Sequence, residues 1–123
     1  MKTQFKYFII FLLAFLVFSP NTFALIHNPK PNPNPFKQGE SVEFKTDYSS
    51  YQKVELYIYN LKGDLIHKQK KTSNFTETMT WDGKNMNGYY VAKGVYFYVL
   101  KITHLDGSEE KTDSIKGSIV FIK

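Results

Sequence analysis

The residues able to do chemistry in this chain are few, and their spacing does not suit it. His27, His67 and His104 lie 40 and 37 residues apart, too far for a local metal motif, so each reads as a solvated surface imidazole. Glu109 and Glu110 are neighbours in an extended stretch and point to opposite faces, so they cannot act as a carboxylate pair. Asp82, Asn85 and Asn87 offer oxygen donors in a polar loop. Their spacing lacks the alternating ligands of a calcium loop, and no bidentate Glu follows. No Gly-x-Ser-x-Gly elbow occurs. With no cysteine there is no thiol nucleophile, no disulfide and no Cys-ligated zinc or iron–sulfur site. The expectation is a non-enzyme with no catalytic residue, no metal and no cofactor.

Composition narrows the partners. The 16 basic residues against 11 acidic ones give a formal charge of +5. Every basic residue is Lys, and the lack of Arg argues against a dedicated nucleic-acid reader, because bidentate guanine contacts favour guanidinium groups. Lys68, Lys70 and Lys71, with Lys62 nearby, form the densest cluster. On an edge strand they would guard against strand-to-strand aggregation, the alternative being contact with an anionic surface such as lipopolysaccharide, teichoic acid or nucleic acid. Apolar residues at 42% and aromatics at 17% are enough for one folded core.

Residues 1–24 read as a secretory signal peptide. Lys2 and Lys6 precede twelve apolar residues from Tyr7 to Phe18, and Ser19-Pro20-Asn21 leads to a small-residue exit at Ala24. As a helix the run spans about 18 Å, short of a roughly 30 Å hydrocarbon core, so cleavage rather than anchoring is expected. No membrane span would follow it. Residues 25–36 then carry four of the five prolines, alternating from Pro29 to Pro35, which predicts an extended polyproline-II arm. The arm is a spacer or, through Pro31 and Pro33, a docking strip.

From Ser41 onward the period is two, Val42 and Phe44 alternating with Glu43 and Lys45, which predicts strands. Val54, Leu56 and Ile58 share one face and Glu55, Tyr57 and Tyr59 the other; Tyr96, Tyr98, Leu100 and Ile102 share a face in 95–103. Further extended stretches are 64–71, 75–81, 109–112 and 114–122, with turns at Asn60–Gly63 and Asp106-Gly107. Asn74-Phe75-Thr76 spells an N-glycosylation acceptor, here read as the start of a strand. About seven short strands over residues 37–123 predict an all-β, immunoglobulin-like antiparallel sandwich.

Five segments in register carry a family resemblance. They are Asn32-Pro33-Asn34-Pro35-Phe36, Val54 through Gly63, Trp81-Asp82-Gly83-Lys84, Gly88, and Gly94 through Leu100. Together they resemble the immunoglobulin-like domain of flagellar hook-capping (FlgD-type) proteins, found at the C-terminus of many secreted bacterial proteins. They are also similar to the sorting tails of type IX secretion and gliding-motility proteins. The resemblance implies an exported sandwich without catalytic residues, in which Phe36 plugs the core, Trp81 covers its end and Asp82 caps the loop. Such modules usually follow a large cargo domain. Here only a signal peptide and an arm precede it, so the module itself is expected to be the working protein. The family usually has polar or basic residues where this chain has Tyr89, Tyr90 and Val99, which makes these three candidate partner contacts. The function expected is an exported module of periplasm, cell surface or medium that assembles through protein–protein contact. The alternative is an extracellular polysaccharide-binding module using exposed tyrosines, Tyr57 and Tyr59 among them.

Overall fold

The computed structural model describes residues 29–45, 51–72 and 78–122. The signal peptide, His27 and the Asn74-Phe75-Thr76 acceptor lie outside the described residues. Period-two alternation becomes a sequence of strands: β1 (Pro31–Asn32), β2 (Phe36–Lys37), β3 (Val42–Phe44), β4 (Lys53–Tyr59), β5 (Leu65–Thr72), β6 (Met79–Trp81), β7 (Gly94–Asp106) and β8 (Glu109–Ile122). They form two sheets, a three-stranded one in the order β1-β3-β6 and a five-stranded one in the order β2-β8-β7-β4-β5. No helix occurs among the described residues.

The apolar face of each strand turns into the space between the sheets. Val54, Leu56 and Ile58 from β4, and Tyr96, Tyr98, Leu100 and Ile102 from β7, are all buried, as the alternation requires. Val42 and Phe44 of β3 and Met79 and Trp81 of β6 close over them from the smaller sheet. Trp81 sits at one end of this core, edge-on to Phe36 at 5.5 Å and to Tyr96 at 5.2 Å between ring centroids. Phe44 meets Tyr98 edge-on at 4.8 Å, an arrangement aromatic quadrupoles favour.

The proline segment departs from a free polyproline-II arm. Pro31–Asn32 pairs with β3, Phe36–Lys37 pairs with β8, and Pro29 is buried. Asn34 holds the connection from outside: its Nδ2 donates to the Ser118 carbonyl at 3.0 Å, and its Oδ1 accepts from the Val120 N–H at 2.9 Å. Side-chain bonding to a strand edge satisfies backbone groups that an extended spacer would leave to water. Both Asn32-Pro33 and Asn34-Pro35 are cis. The predicted plug is in place, since Phe36 is fully buried and stacks on Phe121 at 4.7 Å.

Two further differences concern the sheets. The β2–β8 pairing is parallel, so the sandwich is not wholly antiparallel. Residues 109–112 and 114–122 form one continuous strand, because Asp113 stays in register opposite Ile102 and accepts a 2.7 Å bond from the His104 ring.

Candidate interaction surface

Between Trp81 and Gly94 the chain makes a tight loop built by its polar side chains. The Trp81 indole N–H donates to the Lys84 carbonyl at 2.9 Å, and Asp82 Oδ1 accepts from the Lys84 N–H at 3.1 Å, the expected Asx turn. Asn85 Oδ1 accepts from the N–H groups of Asn87 and Tyr89 at 3.0 and 3.1 Å. This scaffold separates the two loop tyrosines. Tyr90 folds back, its ring 6.3 Å from that of Phe121 and beneath the Lys84 ammonium at 5.0 Å. Tyr89 points outward and is 72% exposed.

Val99, Pro31 and Pro33 lie elsewhere. Val99 is half-buried on the outer face of the five-stranded sheet, and Pro33 is exposed between β1 and β2. Lys116 links Val99 to Pro31. It stands opposite Val99 in the β7–β8 register and borders two shallow depressions. One, of about 450 Å³, includes Phe97 and Val99; the other, of about 370 Å³, includes Pro31 and Asn34. The five residues singled out in the sequence therefore do not gather into one patch.

The outer face of the large sheet is the more coherent surface. Register aligns four cross-strand rows from β5 through β4 and β7 to β8. They run Leu65–Tyr59–Phe97–Ser118, Lys68–Tyr57–Val99–Lys116, Lys70–Glu55–Lys101–Ser114 and Thr72–Lys53–Thr103–Thr112. The first row is apolar from Leu65 through Phe97 and ends at Ser118, and Val95 opposite Val120 extends the apolar zone toward the strand end. The next two are basic. Alternation in the sequence shows that Phe97 and Lys101 face out with Val99; only the pairing register shows that Lys68 and Lys116 share a row with it.

Tyr57 organises the basic rows. The Lys68 ammonium lies 5.5 Å and the Lys101 ammonium 5.2 Å from its ring centroid. Its hydroxyl donates to Glu55 Oε2 at 2.5 Å, and Lys53 pairs with the same carboxylate at 3.6 Å. That hydrogen bond, then burial, pushes the Tyr57 phenol up to about 12. The same bond, helped by Lys53 and Lys70, holds Glu55 below the ordinary carboxylate value despite its partial burial.

Elsewhere the titratable groups meet as isolated pairs, Lys111 with Asp106 at 2.7 Å and Lys45 with Glu43 at 3.2 Å among them. His67, expected on the surface, is half-buried, and burial lowers its pKa while the Asp82 charge pulls the other way. His104 is tied to Asp113. Among the described residues no three His, Cys, Asp or Glu side chains lie close enough to hold a metal ion.

With that geometry in place, the comparisons are specific. A family model described as the CHU_C type IX secretion signal domain matches residues 32–121. This supports the sorting-tail side of the resemblance and not the hook-capping side. No curated protein and no solved structure matches the chain.

Proposed function

Because the chain belongs to the type IX secretion signal domain family, and so to exported or cell-surface-associated proteins, we propose that its sandwich is a non-catalytic recognition module. It works by being read as a folded surface by a protein of the export or surface-assembly machinery. The observation that carries this reading is the coincidence of the match with the fold. Residues 32–121 run from the last residue of β1 to the next-to-last residue of β8, so the match covers the sandwich rather than a short peptide, which supports a signal read as a fold.

The test is transplantation. A reporter enzyme carrying a secretory signal peptide and followed by residues 25–123 is expressed in a bacterium with a working type IX system and in a strain lacking it. The reading expects the reporter outside the first cell and retained in the periplasm of the second. Equal retention in both strains removes the sorting role.

A further inference from the structure

The four aligned rows on the outer face hold five lysines, Lys53, Lys68, Lys70, Lys101 and Lys116, against the single carboxylate of Glu55. Residues 25–123 hold 14 lysines against 11 acidic residues, so the net +4 of these four rows exceeds the +3 of that whole segment. An edge strand needs lysines only along its own free side to deter pairing. Lys101 lies on the inner strand β7, flanked by β4 and β8, where edge protection gives no reason for it. Beside the basic rows, Leu65, Phe97 and Val95 remain 47%, 44% and 40% exposed. The depression bordered by Phe97, Val99 and Lys116 joins the two zones.

We propose that this face docks an acidic protein surface whose carboxylates meet Lys68, Lys101 and Lys116 and whose apolar residues cover Phe97 and Val95. The charge selects an anionic partner. The apolar zone selects a protein among anionic partners, because a polyuronate or nucleic acid backbone offers the lysines charge but has little to bury against Phe97. Tyr57 serves the lysines rather than a sugar: ammonium groups from both neighbouring strands already sit against its ring. The proposal rests on the reading of the module as a protein-recognition surface and names the face and the chemistry that surface uses.

The test measures binding of the full chain to an acidic copolymer of glutamate and tyrosine, with alginate and duplex DNA alongside. K68E/K101E/K116E is expected to weaken copolymer binding about tenfold or more, and F97S about fivefold, with binding falling as salt rises. The neutral variant K68Q/K101Q/K116Q, which adds no carboxylates near Glu55, is expected to show the same direction with an unchanged unfolding midpoint. K45E/K84E/K111E, an equal charge change at lysines outside the four rows and away from Val95, is expected to leave most of the affinity. The proposal is overturned if the copolymer does not bind, if the off-face triple weakens binding equally, if F97S has no effect, or if alginate or DNA binds as tightly. Export of the reporter fusion is scored separately with K68E/K101E/K116E. Normal export of that variant would sink the proposed face while leaving the sorting role standing, whereas failure of the unmodified fusion would sink the role.

Discussion

The ring of Phe121 occupies the space a side chain at residue 83 would need: a Cβ on Gly83 would lie 2.9 Å from Phe121 Cζ. Gly83 also has φ of +84°, a region in which L side chains are strained. G83A therefore combines backbone strain with overpacking, and a loss of about 2 kcal/mol is expected. Chemical denaturation followed by the fluorescence of the sole tryptophan, Trp81, measures it directly. An unchanged midpoint would mean that the loop does not press on the core as described.

Tyr57 and Glu55 titrate as linked neighbours. The phenol is raised from 10.0 to about 12 in the folded chain, so the stability it contributes is whole below pH 10 and is lost as pH rises toward 12. E55Q removes the accepting carboxylate and should bring the phenol back toward its ordinary value. Ultraviolet titration of phenolate absorbance checks this, and Y57F should reduce the alkaline loss, leaving the part that comes from Tyr96 and Tyr98, whose phenols burial also raises. A Tyr57 that titrates the same with and without Glu55 would refute the assignment.

His67 gives an acid-side signature in a different window. Its folded pKa lies below 6.5, so the unfolded chain takes up the proton first. Stability is unaffected above that value, falls as pH drops from 6.5 to the folded pKa, and levels off below it until the carboxylates titrate. Unfolding midpoints of H67Q should be flat across the same window. An identical acid slope in H67Q would assign the effect elsewhere.

Asn34 fastens the proline segment to β8 with two hydrogen bonds. N34A should cost about 1 kcal/mol and speed amide exchange at Val120 more than at the buried core strands. Unaltered exchange at Val120 would show that the β2 pairing alone holds the segment.

The loop tyrosines should behave differently from each other. Y90S gives up the contacts with Phe121 and Lys84 and is expected to cost about 1 kcal/mol. Y89S, at an exposed position, should leave the unfolding midpoint unchanged. Equal losses in both variants would contradict the observed split.

Much of this was legible in the residues. Alternation alone assigns Val54, Leu56 and Ile58 to the core and Tyr57 and Val99 to the outside, because a strand's side chains have no other period. Phe36 and Trp81 were readable as plugs through the family resemblance, and both are buried. Register was not legible. Nothing local says that Lys68 of β5 and Lys116 of β8 fall in one row, since that depends on where each hairpin begins and on the bulge between Ile58 and Tyr59. The proline segment misled for a related reason. Its composition favours a free extended chain, while its fate is decided by Asn34 finding Ser118 and Val120, 84 and 86 residues away.

That same closure has a consequence for timing. Phe36 stacks on Phe121, and β2 has no partner until β8 is laid beside it, so the core beneath Trp81 is sealed by the pairing of segments 85 residues apart. Under the sorting role proposed above, such a signal would double as proof of completeness. A polypeptide cut short before Phe121 lacks the residue that stacks on Phe36, so a receptor that reads the finished surface would reject unfinished molecules without a separate inspection step.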